Sequence, residues 1–294
     1  MAHTLRNKTT IGSRIFTIVN STLLIIIALI CLLPFINVIA SSFASTQEMV
    51  AKRFILFPTT FSLDAYKYIL STPTIFKALG VSIGVTLAGT VVSMILTSLM
   101  AYGLSRTYLY GRNFINFVVV FSMLFSGGMI PTFLVVKSVH LIDSYWSMII
   151  PVAINAFNLI IMRNFFQALP GSLEESAKMD GCTDFGVFFK IMLPLALPSI
   201  ATISLFYGVA YWNTYMNAIL YINDSLKWPI QVLLRQIVIV SSGMQADNTS
   251  VDVIPPAQTI KMAVIVIATV PMLLAYPFVQ RHFVKGALLG SVKG

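Results

Sequence analysis

Acidic side chains are concentrated in one stretch of the sequence, EESAKMDGCTDFGVFFKIMLP, residues 174–194, which we call the acidic island. It lies between two long apolar runs and holds four of the ten acidic residues of the 294-residue chain: Glu174, Glu175, Asp180 and Asp184. Carboxylates gathered around a glycine can pair with basic groups of a partner. They can equally form the solvated face of an ordinary loop, and the residue types alone leave both interpretations open.

Catalytic chemistry is not indicated elsewhere in the sequence. No nucleophile–base pair or metal-ligand cluster stands out, and His3, His140 and His282 are far apart. Cys31 and Cys182 lack metal-ligand spacing and are expected at different membrane depths, so no disulfide is predicted and both are interpreted as packing residues. We therefore expect neither enzyme activity nor a bound metal or cofactor in this chain.

The sequence also lacks the loop with which proteins hold ATP. A Walker A motif ends in Gly-Lys followed by Ser or Thr, and the chain contains no Gly-Lys dipeptide. Any energy from ATP must therefore arrive through another polypeptide. A cytoplasmic surface that receives force from such a partner is worth seeking.

The composition indicates a multi-pass membrane protein. Hydrophobic residues make up 57% of the chain and charged residues 10%, and the mean hydropathy is +0.87. A span needs about 20 apolar residues. Six uncharged runs meet that length, and they predict an all-α protein with six transmembrane helices: Ile15–Gln47, Ala78–Ser105, Asn113–Val136, Ser144–Met162, Ile191–Asn223 and Met262–Gln280.

Basic residues at the ends of these runs predict the orientation. The net charge of +9 could suggest a nucleic-acid partner. The basic residues, however, lie at the ends of the apolar runs, where they indicate membrane topology, so no nucleic acid is expected. With both termini in the cytoplasm, eleven Lys and Arg lie inside and eight outside, mostly in long loops. The acidic island is then cytoplasmic. The first run could be a cleaved signal peptide, but residues 16–40 exceed the usual length, so a retained helix is predicted.

The predicted spans contain no Asp, Glu, Lys, Arg or His. Ion-coupled carriers usually need ionisable groups inside the membrane, so the sequence argues against such a carrier. Sodium sites built only from carbonyls and hydroxyls stay open. The fifth run is instead rich in amides and aromatic rings, and on a continuous helix it would present Tyr207, Tyr211 and Tyr215 as one stripe and Asn213, Asn217 and Tyr221 as another.

Polar and aromatic side chains of the fifth run, together with Asn155 and Asn158 of the fourth run, form a predicted substrate path. Amides suit sugar hydroxyls and aromatic faces cover the C–H face of a sugar ring, although helix–helix hydrogen bonding explains the same residues. The predicted path comprises Asn155, Asn158, Tyr211, Trp212, Asn213, Tyr215 and Asn217.

Local patterns predict two short helices around the island. Ser172 with Glu175 fits a capping box, and Gly181 is placed to end that helix in a left-handed conformation. Thr183 can cap the next helix. Its apolar face is predicted from the helical spacing of Phe185, Phe188, Phe189 and Met192.

The island resembles the "EAA…G…I-x-LP" loop of ABC importer permeases. Glu175-Ser176-Ala177 is followed by Gly181 and then by Ile191-Met192-Leu193-Pro194 at the spacing of that loop; Ser176 replaces its usual alanine. WNTYMNAILYI (212–222) and AYGLSR (101–106) are similar to segments of sugar permeases, and residues 276–294 look like the end of maltose-type second permeases. The stretch FSGGMIP (125–131) resembles permeases for complex oligosaccharides of Gram-positive bacteria.

This resemblance implies an assembly and a function. The chain would be one of two permeases, a heterodimer with a homologous sister, in a cell-membrane importer that carries an oligosaccharide delivered by an extracellular binding protein. A cytoplasmic ATPase dimer would bind ATP and Mg, and lipid would surround the spans. The resemblance assigns ATPase docking to the following residues: Glu174, Glu175, Ser176, Ala177, Gly181, Leu193, Pro194, Gly286, Gly290 and Gly294.

The implied division of the chain has four parts. They are a cytoplasmic tail at 1–14, the first helix with a long external loop at 15–74, a five-helix core at 75–280 with its coupling loop at 164–190, and a cytoplasmic tail at 281–294. Two other functions stay open: a membrane scaffold or receptor for an ATPase that transports nothing, and an ion-coupled carrier.

Overall fold

The computed structural model describes the backbone of residues 11–52, 54–241 and 258–291, and the side chains of residues 12–52, 54–239, 258–274 and 277. Across these residues the chain is helical and has no β-strand; an isolated antiparallel bridge joins Ala44 to Phe61. The α-helices follow in chain order: α1 (Ile11–Ser42), α2 (Thr46–Ala51), α3 (Asp64–Ser71), α4 (Pro73–Ser105), α5 (Arg112–Leu124), α6 (Met129–Ser138), α7 (Trp146–Ile149), α8 (Ala156–Ala168), α9 (Gly171–Met179), α10 (Asp184–Val187), α11 (Leu193–Leu195), α12 (Leu197–Trp212), α13 (Met216–Tyr221), α14 (Ile230–Ser241) and α15 (Gln258–Ser291).

Short segments of other helical types join some of these helices. Residues Ile150–Val152 and Ser225–Lys227 are 3-10 turns, and Phe188–Met192 is π-helical. The chain divides into two compact units, residues 1–71 with 237–267 and residues 72–236 with 268–294.

The first unit contains the long apolar helix α1 and a compact loop after it. Most large side chains of α1 are exposed, as expected of a helix whose surroundings are lipid or another membrane helix. The loop is closed around Glu48, whose buried carboxylate accepts hydrogen bonds from the Thr59 and Thr60 amides, each at 3.0 Å. The Lys52 ammonium lies 2.9 Å from the same carboxylate. A single side chain therefore joins α2 to the strand-like segment near Phe61.

Glu48 makes the loop resistant to mild acid. The amide of Thr59, the ammonium of Lys52 and the amide of Thr60 hold the pKa of Glu48 far below its usual range. A lowered folded-state pKa means that the stabilisation is complete above the unfolded value of about 4.3 and declines only as the pH falls from there toward the folded value. Hydrogen exchange at Thr59 and Thr60, corrected for intrinsic rates, should thus show equal protection from about pH 5 to 8.

Glu48→Gln should reduce that protection at every pH in this range. The glutamine side chain has one acceptor oxygen instead of two, and it carries no negative charge to pair with the Lys52 ammonium. The exposed Asp64, whose carboxylate lies 3.8 Å from Lys67, supplies the control Asp64→Asn. Protection that fell between pH 8 and 5 in the unmodified chain would contradict this account.

The second unit is built around α4, which packs against α8 and α12. Its core is apolar and includes Met148, Leu159, Met162 and Ile203, all fully or almost fully buried. Two hydroxyl pairs cross this core from α4 to α12. Thr97 Oγ1 lies 2.7 Å from Tyr207 Oη, and Ser93 Oγ lies 2.8 Å from Tyr211 Oη. These bonds satisfy polar groups that would be costly to bury alone.

The predicted spans are confirmed in part. Helices α1 and α4 are long and apolar enough to cross a membrane, and two bent pairs raise the number of spans to as many as four among the described residues. The predicted third span, Asn113–Val136, is wrong as one helix, because Gly128 adopts a left-handed φ of 88° and separates α5 from α6. The count of six spans and the cytoplasmic position of both termini stay predictions.

The fourth and fifth predicted spans are bent helices. Residues 146–152 and 156–168 meet at 54°, and residues 184–195 and 197–212 meet at 80°. At the sharper bend, Pro194 and Pro198 flank Ala196, and neither proline can donate a backbone hydrogen bond. The bend therefore follows directly from the two prolines.

Candidate functional site

The acidic island forms two short helices joined by a sharp corner. Helix α9 begins at Gly171, directly after Pro170, and the first backbone bond runs from the Leu173 amide to the Pro170 carbonyl at 3.3 Å. The prediction that Ser172 caps this helix is wrong. Pro170 takes the cap position, so Ser172 already lies inside the first turn.

The corner itself is as predicted. Gly181 adopts φ 81°, which ends α9 in the left-handed conformation, and the Cys182 amide donates to the Ala177 carbonyl at 2.9 Å. Thr183 caps α10, since its hydroxyl oxygen accepts from the Gly186 amide at 3.2 Å. Both predictions are confirmed, and together they define the direction in which the chain leaves the corner.

The predicted apolar face after the corner is wrong in part. Phe188 and Met192 are buried, but Phe185 and Phe189 are 71% and 56% exposed. Residues Phe188–Met192 are π-helical rather than α-helical, so the angular spacing on which the prediction depended does not hold. The corner consequently presents Phe185 outward, together with Met179, which is 82% exposed.

The two adjacent glutamates of the island have different surroundings. Glu174 and Ala177 are buried, whereas Glu175 and Ser176 are exposed. The Glu174 carboxylate accepts a hydrogen bond from Arg106 Nη1 and lies 2.9 Å from the Lys178 ammonium. Sequence analysis did not identify Arg106 as a partner, since 68 residues separate it from Glu174.

Lys178 and Tyr108 complete a charged network around Glu174. The Lys178 ammonium lies 2.9 Å from Asp184 and 4.7 Å from the centre of the Tyr108 ring. The Tyr108 hydroxyl lies 3.2 Å from carboxylate oxygens of both Glu174 and Asp184. Hydrogen bonds to Glu174 and then to Asp184 raise the pKa of Lys178, and Lys178 in turn lowers the pKa of Asp184. Lys178 and Asp184 therefore stabilise each other in their charged forms.

A cavity of about 440 Å³ lies between α8 and the segment formed by α12 and α13. Its size is within the range typical of ligand sites, about 300–1,000 Å³. Its lining combines amides, hydroxyls and rings, with no charged side chain: Val152, Asn155, Phe157, Asn158, Phe206, Tyr207, Ala210, Tyr211, Thr214 and Asn217. Four predicted path residues thus meet at one cavity: Asn155, Asn158, Tyr211 and Asn217.

The cavity wall is held by hydrogen bonds. The backbone N–H of Asn155 donates to Tyr207 Oη at 3.0 Å, and the side-chain Oδ1 of Asn155 caps α8 by accepting from the backbone N–H of Asn158 at 3.1 Å. The Tyr211 hydroxyl donates to the Ile149 carbonyl at 3.2 Å. Tyr207, which the sequence placed on the tyrosine stripe but not in the path, is part of this wall.

The other three predicted path residues lie outside the cavity. Trp212 donates through Nε1 to the Ala268 carbonyl at 3.2 Å, and Tyr215 lies under the Arg235 guanidinium at 4.3 Å. Asn213 is exposed and donates to the Val209 carbonyl of its own helix at 2.8 Å. The predicted stripe of Asn213, Asn217 and Tyr221 is wrong, because α12 ends at Trp212 and the next helix, α13, begins only at Met216.

The remaining predicted docking residues lie elsewhere in the chain. Leu193 and Pro194 are in α11, just before the 80° bend. Gly286 and Gly290 lie on the backbone of α15, which continues the predicted last span into the tail at 281–291. Gly294 lies outside the described residues.

Comparison with known proteins gives a consistent result. The profile of the family described as "Binding-protein-dependent transport system inner membrane component" matches residues 80–288. A Bacillus subtilis protein, "Polygalacturonan/rhamnogalacturonan transport system permease protein YtcP", is 69% identical over 284 residues, which cover 96% of this chain and 99% of that one. Protein LplC of the same organism is 54% identical over 99% of both chains.

A solved structure is also similar along most of the chain. It is a chain of a bacterial ABC transporter involved in the import of the acidic polysaccharide alginate, with 33% identity and a TM-score of 0.85. The match covers 93% of this chain and 98% of the other. The helical arrangement described above is therefore shared with a solved transporter chain.

Proposed function

Because this chain belongs to the family of binding-protein-dependent transport system inner membrane components, we propose that it is the permease subunit of an ATP-driven importer for oligosaccharides derived from acidic plant polysaccharides such as pectin. The name of its 69% identical relative supports the substrate class, as does the alginate importer among solved structures. The protein is a multi-pass membrane component, and it pairs with a homologous sister permease.

The corner of the acidic island is the surface that receives the ATPase. Glu175, Ser176, Met179 and Phe185 are exposed there, so one carboxylate and two apolar side chains project beside the left-handed Gly181. An apolar centre with a charged rim suits a protein interface. Glu174 and Ala177 are buried on the opposite side of α9, where they pack against the rest of the chain. Gly286 and Gly290 of α15, with Gly294, form a second contact with the ATPase.

The cavity beside Tyr211 is this chain's share of the substrate path. Its amides and hydroxyls can exchange hydrogen bonds with sugar hydroxyls, and the exposed Phe157 and Phe206 supply aromatic rings. The wall has no cationic side chain, so positive charge for a substrate carboxylate comes from the sister permease or the binding protein. ATP and Mg bind to the ATPase, and this chain binds no cofactor.

The experiment that tests the function is uptake into proteoliposomes. The chain is reconstituted with its sister permease and ATPase, with the binding protein outside and ATP inside, and the probe is labelled tetragalacturonate, with maltotetraose as an uncharged comparison. ATP-dependent accumulation of tetragalacturonate supports the proposal. Accumulation without ATP, or none with either sugar, would contradict it.

Asn217→Leu and Asn213→Leu form a matched pair for the cavity. Asn217 lines the cavity and Asn213 does not, although both are amides four residues apart. An unpaired sugar hydroxyl costs about 1–3 kcal/mol, so Asn217→Leu should lower uptake by about tenfold or more. Asn213→Leu should leave uptake within about twofold, since only a helix-end bond is lost. Equal effects of the two changes would count against the cavity as the path.

A further inference from the structure

Arg106 and Glu174 form a buried ion pair between the end of α4 and the first turns of α9. Their side chains are 12% and 8% exposed, so neither charge is well hydrated. Glu174 also meets Lys178, which is 39% exposed and which shares its ammonium with Asp184. The innermost contact of the network is thus the one between Arg106 and Glu174.

Arg106 is held by aromatic rings as well as by charge. Its guanidinium carbon lies 4.5 Å from the centre of the Tyr102 ring, one turn earlier in the chain. The buried Tyr102 ring contacts Phe188 at 5.0 Å and Phe166 at 5.9 Å between ring centres. Arg106 therefore contacts α9 through Glu174, and the Tyr102 ring on which it lies contacts Phe188 on the other side of the corner.

A continuous set of contacts leads from this ion pair to the cavity. Helix α4 is unbroken from Pro73 to Ser105, and its Thr97 and Ser93 bond to Tyr207 and Tyr211. Both tyrosines line the cavity, and Tyr207 also accepts from the backbone N–H of Asn155. Rigid helices linked by specific side-chain contacts are the kind of physical network that carries coupling between sites.

We propose that Arg106 is a positioning residue that couples movement of the acidic island to α4, and that Glu174 is its counter-charge rather than part of the ATPase surface. This inference rests on the function proposed above. A buried pair contributes little net stability, but loss of one member leaves a charge uncompensated, so the pair acts as a strict geometric constraint. When the ATPase moves the corner, the pair makes α4 follow.

The test uses Arg106→Gln, Glu174→Gln and the double variant in the reconstituted importer. Two quantities are measured: capture of the ATPase by the membrane complex, and tetragalacturonate imported per ATP hydrolysed. We expect capture within about twofold of the unmodified chain and about a tenfold fall in import per ATP, as is typical of coupling between sites. Residues that act as one unit are non-additive, so the double variant should be no worse than the more affected single one.

Glu175→Gln is the matched control, because it removes the neighbouring exposed carboxylate. It should reduce capture of the ATPase, whereas the Arg106 and Glu174 variants should not. The inference is overturned if Glu174→Gln reduces capture as Glu175→Gln does, if the single variants keep normal import per ATP, or if their effects multiply.

A conservative variant covers the case in which Arg106→Gln does not insert into the membrane. Arg106→Lys keeps the charge but lacks the flat guanidinium that lies over Tyr102. Reduced import per ATP with normal capture supports the inference, and normal import per ATP overturns it. Failure of the unmodified chain to capture an ATPase would instead refute the proposed function, so the two outcomes are distinguishable.

Discussion

Replacing Gly181 with valine is expected to reduce capture of the ATPase by about 5- to 100-fold while the chain remains in the membrane. Gly181 adopts φ 81°, a conformation that costs a β-branched residue about 1–3 kcal/mol. Beyond its immediate chain neighbours, no atom of the described residues lies within 4 Å of the position that a Cβ would occupy, so the effect is one of backbone conformation and not of space. A corner that relaxes to another φ would aim Met179 and Phe185 in a different direction.

Gly181→Asn is the control for this prediction. Asparagine tolerates the left-handed conformation better than other residues with a side chain, so its capture should lie close to that of the unmodified chain. Membrane insertion is checked by extraction and size-exclusion chromatography of each variant. If valine and asparagine give the same capture, the geometry of the corner is not what the ATPase recognises.

Gly89→Ala is expected to destabilise the second unit and to abolish most uptake. The added Cβ would lie 2.7 Å from Cζ of the Tyr211 ring, where α4 passes α12. That ring is buried and is held by Ser93 and by the Ile149 carbonyl, so it cannot move aside without loss of both bonds. Overpacking costs about 1–3 kcal/mol, and each unpaired buried group adds a similar amount.

Gly103→Ala separates this steric effect from helix propensity. Gly103 lies on the same helix, and a Cβ there meets nothing within 4 Å. Alanine favours the helix over glycine by about 0.5–1 kcal/mol, so this variant should keep or slightly raise the thermal midpoint in detergent. A thermal midpoint for Gly89→Ala equal to that of Gly103→Ala would refute close packing of α4 against Tyr211.

Local chemistry was enough to predict the corner of the island. Gly181 and Thr183 act through their own backbone and the next few residues, so their roles are visible in a short window of sequence. Pro170 is visible in the same way, but the predicted start of α9 rested on the capping box at Ser172 alone. A proline two residues before a candidate cap is the signal that places the start of α9 close to Gly171.

Longer-range features could not be predicted from these patterns. Burial of Glu174 depends on Arg106, and nothing in the spacing of the two residues indicates that they meet. The asparagine stripe failed because it assumed one helix from Ile191 to Asn223, whereas the chain bends at Ala196 and α12 ends at Trp212. Periodicity assigns a face only while the helix continues.

The bend of 80° between residues 184–195 and 197–212 decides how a push would act on the cavity. Because the two helix axes are nearly perpendicular, a displacement along the axis of the first segment would act on the side of α12. It would tilt α12 about the bend and would hardly shift it along its own axis. Three cavity residues lie on α12: Phe206, Tyr207 and Ala210. Tilting of this helix would therefore widen or narrow the cavity between them and α8.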